Sequence, residues 1–373
     1  MGAVTRAVPM SAPDLGPLEK DLINEVIDST QLCFGPKIEE FERRLASFVE
    51  VQHGAAFSSG TAALHAAVVA AGIGDGDEVI TTPFSFVASA NCLLFERARP
   101  VFVDIDPLSG NIDPALIEAR ITSRTKAILP VHVFGQPADM DPIVEIARRR
   151  GLVVIEDACE AIGAEYKGRR AGSLGDTAAF AFYPNKQITT GEGGALVTNR
   201  PEWDALYRSL RNQGRDVMDP WLVHSRLGFN YRMCELSAAL GVAQMRRLDE
   251  LLAKRERVAA RYAERLKDVA AVELPQIAPT TSKVSWFVYV VRLGDGIDRD
   301  ETMRRLSEDG VATRPYFGPI HLQRFYRDRF GHREGEFPVT EQIARQSMAL
   351  PFHGNLSEDD QDYVCERLRA RVL

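Results

Sequence analysis

The sequence lacks the features by which membrane and secreted proteins are recognised. No apolar run reaches the length of a transmembrane helix, and residues 1–17 contain Arg6, Asp14 and three prolines where a signal peptide would have a sustained apolar segment. The five cysteines lie far apart and form no CxxC pair, which disfavours a disulfide framework and a zinc cluster. We therefore expect a cytoplasmic protein with reduced thiols, no metal site and no membrane partner.

A basic excess is also lacking. With 45 lysines and arginines against 52 acidic residues, the formal net charge is −7, which argues against a nucleic-acid partner. This charge still allows one small anionic ligand held by a few arginines. The hydrophobic share of 45% is that of an ordinary soluble globular protein, and 373 residues predict one large and one smaller domain.

Short apolar runs alternate with helical stretches between about residues 55 and 200. The predicted strands are 78–82, 100–104, 126–133, 152–155, 177–183 and 194–198. The predicted helices between them are 61–71, 91–96, 114–121 and 140–150. Strands that alternate with helices predict an α/β fold with a mostly parallel sheet covered on both faces.

The chain changes character near residue 250. Residues 234–266 have a long helical pattern, and the apolar run 286–293 predicts a strand within a small α+β region that ends in a helix over 358–371. We therefore predict a large domain over residues 1–250 and a small C-terminal domain over residues 251–373.

Polar residues stand beside the predicted strands, where ligands bind in open parallel sheets. The sequence SSGT at 58–61 opens the predicted helix 61–71, and its N–H groups, hydroxyls and glycine suit a phosphate monoester. Plain N-capping by a hydroxyl side chain is the alternative. Asp157 follows a predicted strand and is suited to pair with a protonated ring nitrogen. A capping box between Asp157 and Glu160, opening a following helix, is its alternative.

Lys186 lies in the run FYPNKQITTGEGG (182–194), a turn rich in Pro and Gly between two apolar strands. A lysine amine attacks carbonyl groups when burial or a neighbouring cation keeps it uncharged, whereas a solvated loop lysine is the simpler interpretation. A phosphate cradle, an acid and a lysine, in this order on one parallel sheet, are the parts that pyridoxal 5'-phosphate (PLP) requires. The combination favours a PLP enzyme more than any single part does.

Several motifs together resemble one known family. They are SSGTAAL (58–64), DEVITTPFSFVASAN (77–91), IEDACEAIGAEYKGRRAGSLGD (155–176), FYPNKQITTGEGG (182–194) and GFNYRM (228–233). With these motifs the chain resembles the DegT/DnrJ/EryC1/StrS family of PLP-dependent sugar aminotransferases over nearly its whole length. The resemblance implies the aspartate aminotransferase fold, fold type I, with a large PLP-binding domain and a small C-terminal domain.

The resemblance also implies site residues. Lys186 resembles the lysine that forms a Schiff base with PLP and later moves a proton, and Asp157 resembles the partner of the ring nitrogen. The other implied cofactor contacts are Gly60, Thr61, Phe86 and, from a second subunit, Asn230. The family resemblance therefore implies a homodimer or a larger assembly.

Two positions depart from the common family pattern. Glu160 stands where many members have glutamine near the phenolic oxygen of the cofactor, and Ala181 stands where many have a phosphate-binding serine. Neither residue is therefore assigned a contact.

Substrate contacts are predicted from charge and position. A nucleotide diphosphate or a donor carboxylate needs cations, and the candidates are Arg211, Arg215, Arg232 and Arg314. His321 is a further candidate at the active site, with a histidine bonded within a turn as the alternative.

The resemblance finally implies the reaction. The subset that the chain most resembles includes GDP-perosamine synthase-like proteins, which implies transfer of an amino group from glutamate to a nucleotide-linked 4-keto-6-deoxy sugar, in deoxyaminosugar and polysaccharide biosynthesis. A cyclitol ketone or another non-nucleotide ketone is the alternative acceptor. Dehydratases of the family have histidine in place of the lysine, so Lys186 argues against that reaction. Lys186 and Asp157 also argue against a regulatory homologue without catalysis.

Overall fold

The computed structural model describes residues 6–372. Within this range the α-helices are α1 (Pro17–Ser29), α2 (Pro36–Val49), α3 (Gly60–Ala70), α4 (Ala88–Phe95), α5 (Met140–Arg150), α6 (Pro201–Arg211), α7 (Glu235–Arg246), α8 (Leu248–Leu266), α9 (Arg299–Glu308), α10 (Arg324–Phe330), α11 (Pro338–Gln346) and α12 (Glu358–Val372). The strands are β1 (His53–Phe57), β2 (Glu78–Thr81), β3 (Arg99–Phe102), β4 (Thr125–Leu129), β5 (Val153–Asp157), β6 (Glu165–Tyr166), β7 (Arg169–Arg170), β8 (Thr177–Ala181), β9 (Gly194–Thr198), β10 (Val272–Glu273), β11 (Thr281–Lys283), β12 (Tyr289–Leu293) and β13 (Ser347–Leu350).

Seven strands of the described range form one sheet in the order β1-β9-β8-β5-β4-β2-β3. Neighbouring strands run parallel except at β9, which is antiparallel to both β1 and β8. The predicted α/β fold with a mostly parallel sheet is therefore confirmed. Because β9 is the single reversed strand, the carboxyl ends of β1, β2, β4, β5 and β8 meet at one edge of the sheet.

Both faces of this sheet are covered. Along β1, Ala55 and Phe57 pack into the core under α3, whereas Ala56 between them packs into the core formed with α2 and α7. Side chains alternate between the two faces of a strand, so a strand with apolar residues on both faces needs helices on both sides. Ala55, Ala56 and Phe57 give β1 such residues on both faces.

The α2 helix is capped from a distant part of the chain. The Glu235 carboxylate, in the first turn of α7, accepts hydrogen bonds from the N–H groups of Gly35, Lys37 and Ile38 at 2.9–3.0 Å. A Cβ atom at Gly35 would lie 2.7 Å from that carboxylate, so the close approach requires glycine. A negative charge at a helix start also interacts favourably with the helix dipole.

The predicted long helix over 234–266 is wrong as a single element. The structure has α7 and α8, which meet at Arg247, a residue with φ −103° and ψ 3°. The Arg247 guanidinium is bound by Asp14 and Glu19 near the N-terminus of the chain. These long-range ion pairs hold the break, and the local helical pattern contains no signal for them.

Two further elements differ from prediction. Residues 114–121 form two short 3-10 turns instead of a helix. Strand β4 ends at Leu129 because Pro130 follows, which cannot donate to a neighbouring strand.

A second, smaller sheet lies in the C-terminal third of the chain. It has the order β10-β12-β13, and α8, α9 and α12 contribute to its apolar core. The predicted strand 286–293 begins at Tyr289, which leaves Trp286 and Phe287 in the segment ahead of it. The boundary near residue 250 stays a prediction. No helix in the described part of the chain is both long and apolar enough to cross a bilayer.

Candidate active site

A cavity of about 470 Å³ lies at the carboxyl edge of the large sheet. The residues at its wall follow strands that end at this edge: Ser59 follows β1, Phe86 follows β2, Glu160 follows β5 and Tyr183 follows β8. Such an edge is the usual ligand site of an open α/β sheet, and the volume is in the range of cofactor pockets. The cavity is therefore the candidate active site.

The structure brings five of the predicted residues into this one cavity. They are Gly60, Thr61, Phe86, Asp157 and Lys186. These five residues lie at the ends of four different strands, β1, β2, β5 and β8, so their meeting depends on the sheet topology.

The start of α3 forms one wall. Ser59 caps the helix, because its hydroxyl accepts a hydrogen bond from the Ala62 N–H at 3.1 Å. Gly60 and Thr61 lie in the first turn, where N–H groups have no partner within the helix, and both line the cavity. A Cβ atom at Gly60 would lie 2.6 Å from the Ala181 Cβ, so the helix start and the end of β8 approach too closely for a larger residue. N-capping is thus the role of Ser59, and Gly60 and Thr61 offer N–H groups to an anion.

Asp157 is the last residue of β5 and is buried at the cavity wall. Its carboxylate accepts hydrogen bonds from the Ser89 hydroxyl at 2.6 Å and from the Cys159 N–H at 3.1 Å. Residues 158–164 form turns, so the capping box for a following helix is wrong. Two donors, one to each carboxylate oxygen, therefore hold Asp157 in place at the cavity wall.

Lys186 follows β8 and is mostly buried, with a side chain 12% exposed. Its Nζ lies 3.5 Å from the Glu160 Oε1 and 3.7 Å from the centroid of the Phe287 ring. The amine is therefore enclosed by a carboxylate and an aromatic face at the cavity wall. A solvated loop lysine does not describe this environment.

Glu160 is a buried carboxyl group in contact with Lys186. Its Oε2 accepts a hydrogen bond from the Phe134 N–H at 3.0 Å, which leaves Oε1 directed toward the lysine. Burial raises the pKa of Glu160, and the nearby Lys186 cation opposes that rise.

Aromatic side chains form the remaining wall. Phe86 and Tyr183 are 61% and 52% exposed at the mouth, and Phe287, Tyr316 and Phe317 line the interior. The sequence analysis missed the last four, together with Ser89 and Asn185. The sequence predicts Phe287 within the strand 286–293, whereas in the structure this residue lies ahead of β12 and lines the cavity. Tyr183 and Asn185 lie within the lysine motif, so proximity to Lys186 in sequence was a usable signal for them.

The remaining predicted residues lie outside this cavity. Asn230 is exposed and pairs through its backbone with Asn212, and Arg232 donates to the Asn212 Oδ1 at 3.1 Å. Arg314 is exposed and donates to the Thr313 carbonyl. None of these three side chains is brought to Lys186 within one chain.

Arg211 and Arg215 are also engaged elsewhere. Arg211 forms an ion pair with Glu42 and donates to the Ala56 carbonyl at 2.7 Å. The Arg215 guanidinium lies 5.0 Å from the centroid of the Trp221 ring. A pair with a buried carboxylate leaves Arg211 little freedom to bind a diphosphate.

His321 is placed differently from the prediction. Its ring is fully buried, with Nε2 3.1 Å from the Glu341 Oε1, and burial lowers its pKa. The ring packs against Phe337 at 4.7 Å between centroids, away from the cavity. His321 therefore belongs to the packing around α11, as the alternative interpretation of a bonded histidine holds.

Comparison with known proteins identifies relatives of this chain. A model of the DegT/DnrJ/EryC1/StrS aminotransferase family matches residues 13–369. The chain is 45% identical over 369 residues to GDP-perosamine synthase of Caulobacter vibrioides, and the alignment covers 97% of each chain.

Solved structures of other proteins share the fold of this chain over nearly its whole length. DesV of S. venezuelae, in complex with a ketimine intermediate, superposes with a TM-score of 0.92 at 36% identity and 98% coverage of both chains. The PLP form of the putative sugar aminotransferase Spr1654 of Streptococcus pneumoniae gives a TM-score of 0.93 at 26% identity, covering 99% of this chain and all of the other. These likenesses confirm the family resemblance and the aminotransferase fold that the sequence predicts.

Proposed function

The chain belongs to the DegT/DnrJ/EryC1/StrS aminotransferase family, and on that premise we propose that it uses PLP to transfer an amino group from glutamate to a nucleotide-linked 4-keto-6-deoxy sugar. One observation carries the proposal. Lys186, Asp157 and the first turn of α3 line a single cavity, in a chain that shares 45% identity with a GDP-perosamine synthase.

The residues of the cavity fit PLP as a chemical set. The first-turn N–H groups of Gly60 and Thr61 suit its phosphate, because helix starts bind anions. The buried Asp157 carboxylate suits a protonated ring nitrogen, and Phe86 suits the ring face. When bound, PLP supplies an electron sink for negative charge that develops on the substrate carbon.

The reaction requires a fixed negative charge and a group that moves a proton. The Asp157 carboxylate, held by hydrogen bonds from Ser89 and Cys159, is the fixed charge at the cavity wall. Such a preorganised charge is effective because it needs no rearrangement during the reaction. Lys186 Nζ accepts the proton that leaves the α-carbon of glutamate and returns a proton to the new amine carbon. The neighbouring Glu160 and Phe287 restrict where that nitrogen moves.

The acceptor is proposed to be bound largely through its nucleotide. Binding energy from a part of the substrate remote from the ketone can be used to orient the ketone. None of the candidate arginines lines the described cavity, so the proposal expects cations for the diphosphate to come from a second subunit. Arg232, two residues after Asn230, is the first candidate.

The proposed active unit is accordingly a homodimer in which each chain lends Asn230 to its partner. Asn230 is exposed and lies outside the cavity of its own chain, which supports this arrangement. The preceding loop exposes a group of large apolar side chains, Val217, Met218, Trp221, Leu222 and Leu227. Exposed apolar groups of this size commonly mark a contact with another protein surface.

A half-reaction assay tests the function. The protein is loaded with PLP, converted with glutamate to the aminated form, and freed of excess glutamate. GDP-, UDP- and dTDP-linked 4-keto-6-deoxy hexoses are then added separately while the visible absorbance of the cofactor is followed. Rapid return of the original spectrum with one nucleotide sugar is expected, and slow or no return with the free sugar or pyruvate.

The same assay separates the alternatives. An equal rate with a free cyclitol ketone would move the protein to the non-nucleotide acceptors. A protein that takes up PLP but shows no change with any amino donor would instead be a regulatory homologue.

A further inference from the structure

Arg255 is a buried cation that carbonyl oxygens hold in place of a carboxylate. It lies in α8 and is 4% exposed, and among residues 6–372 no carboxylate lies within ion-pair distance of its guanidinium. Burial lowers its pKa to about 10, so the guanidinium is still charged at neutral pH. Arg211 and Arg247 show the usual alternative, since both are paired with acidic side chains. A buried charge of this kind is costly unless hydrogen bonds satisfy it.

Four carbonyl oxygens from two segments satisfy the Arg255 guanidinium. Nη2 donates to the Lys186 carbonyl at 2.7 Å and lies 3.5 Å from the Asn185 carbonyl. Nη1 donates to the carbonyls of Trp286 and Phe287, both at 3.1 Å. The planar guanidinium therefore fixes the backbone of the lysine loop, residues 183–187, against the backbone ahead of β12.

A second contact joins the same two segments. The Gln187 amide nitrogen donates to the Ser285 hydroxyl at 2.8 Å and to the Glu160 carbonyl at 2.6 Å. Residues on both sides of the Lys186 carbonyl are thus tied to 285–287. The Lys186 side chain lines the cavity, where its amine contacts Glu160 and Phe287.

The position of the Lys186 amine depends on both segments. Its Nζ contacts the Phe287 ring, which the segment 285–287 carries, and the Glu160 carboxylate. A shift of either backbone would change the distance between the amine and its neighbours. Displacements of about 1 Å in a reacting group can slow an enzyme about 100-fold.

We propose that Arg255 is a positioning residue for Lys186, whose planar guanidinium holds the lysine loop against residues 286–287 so that the amine stays at one place on the cavity wall. The inference rests on the proposed function, in which Lys186 is the residue that reacts. A lysine at 255 keeps the charge but offers three donors on a single nitrogen, so it cannot bridge the two pairs of carbonyls as the fork does.

The test measures how fast Lys186 reacts in the cofactor-free protein. PLP is added to wild type, Arg255→Lys, Arg255→Met and the control Arg247→Met, and borohydride is added after set times. The Lys186 amine and the PLP aldehyde lose one water to form a C=N bond, which hydride reduces to a stable amine. Mass spectrometry then quantifies the labelled peptide that contains Lys186.

Arg247 is a matched control because it lies beside α8, is largely buried, and contacts Asp14 and Glu19 instead of the lysine loop. Thermal unfolding followed by circular dichroism gives the folded fraction of each variant, and trapping rates are expressed per folded molecule. We expect trapping to slow about 100-fold in Arg255→Met and about tenfold in Arg255→Lys, while Arg247→Met traps at the wild-type rate.

Each outcome is decisive. If Arg255→Met traps as fast as Arg247→Met, Arg255 serves stability alone and the inference is overturned. If wild type is labelled at another lysine, the proposed function fails and this role of Arg255 fails with it. In steady-state assays the positioning role further predicts a lower kcat with an unchanged KM for the acceptor, whereas a loss of folded protein would leave the rate per folded molecule unaltered.

Discussion

The lysine loop, residues 183–187, and the loop over residues 215–227 are both expected to serve the active site, yet they are held very differently. The lysine loop is tied down by Arg255, Gln187 and a hydrogen bond from the Lys186 N–H to the Tyr183 carbonyl. In the 215–227 loop, by contrast, Met218 is 91% exposed and Trp221 78% exposed. The groups proposed to react are thus held by contacts within one chain, whereas the apolar side chains of the 215–227 loop would be buried by the second chain of the proposed dimer.

The largest effect is expected in the lysine loop. Lys186→Ala should reduce amino transfer by about 10⁴-fold, because a positioned acid–base group contributes up to that factor and here it also holds the cofactor. Turnover with glutamate and the best nucleotide sugar measures the loss. Lys283→Ala, at an exposed lysine, is the control and should retain full activity. Substantial activity in Lys186→Ala would show that the tied loop does not carry the reacting group.

A smaller loss is expected at Asp157. Asp157→Asn removes the fixed anion and should slow the half-reaction with glutamate by about 10²–10³-fold, while PLP stays bound. Stopped-flow absorbance measures the rate. Asp176→Asn is the control, since Asp176 precedes β8 at the opposite edge of the sheet and accepts a hydrogen bond from the Val154 N–H. Equal effects in both variants would mean that Asp157 only stabilises the fold.

The loop over residues 215–227 is tested by replacing two of its apolar side chains with charged ones. Trp221→Asp combined with Leu227→Asp should raise the dimer dissociation constant about 30-fold or more, because a tryptophan that is a hot spot of an interface contributes about 2 kcal/mol. Sedimentation velocity over a range of concentrations measures the constant. Leu116→Asp changes an exposed leucine outside the loop and should leave assembly intact. A fully active monomer would show that the 215–227 loop does not serve the active site through assembly.

Asn230→Ala gives a milder version of the same test. Loss of one hydrogen bond to a charged phosphate should weaken PLP binding about tenfold, measured by fluorescence titration. Mixed dimers show which of the two chains supplies Asn230 to a given cavity. In a dimer of one Lys186→Ala chain and one Asn230→Ala chain, the intact lysine faces either a mutant or a wild-type asparagine, depending on whether the residue is lent across the interface. Unchanged PLP affinity in Asn230→Ala would end the proposal that it contacts the phosphate.

The smallest effect concerns Glu160 and pH. Burial raises the pKa of Glu160 above the ordinary value of a glutamate, so the protonated carboxyl stabilises the folded state relative to the ionised one. This contribution is lost as pH rises through the folded pKa. Glu160→Gln should therefore gain thermal stability relative to wild type as pH increases, by roughly 1–3 °C in Tm. Differential scanning calorimetry of the cofactor-free protein at several pH values measures it. A difference that does not change with pH would contradict a raised pKa.

Local patterns predicted most strands of the large sheet and the residues that end them, but no strand was predicted over β1. Apolar runs predicted β2, β4, β5, β8 and β9 within a few residues, because each is buried and bounded by turn residues. The motif around Lys186 and the acid at Asp157 were recognisable for the same reason. Their meeting in one cavity follows from the order of strands in the sheet.

Contacts between distant segments were not predictable. Ser89 reaches Asp157 from the first turn of α4, and Arg255 reaches the Lys186 carbonyl from a helix 69 positions later. Neither residue differs in type from many solvated serines and arginines in the chain. The break at Arg247 is likewise set by Asp14 and Glu19, which no window of local sequence includes.

The place of β9 in the sheet has a consequence for how the protein is made. Strand β1 pairs with β9, and a Cβ atom at Gly194 would collide with the Ser59 carbonyl, so the end of β9 packs directly on the start of α3. A ribosome adds about 5–20 residues per second, so the nascent β1 waits on the order of ten seconds for its partner strand to emerge. During that interval the nascent chain carries an unpaired strand with the apolar residues Ala55, Ala56 and Phe57, which is the kind of edge that chaperones must shield from aggregation. The start of α3, the proposed phosphate site, therefore gains its packing against β9 late in synthesis.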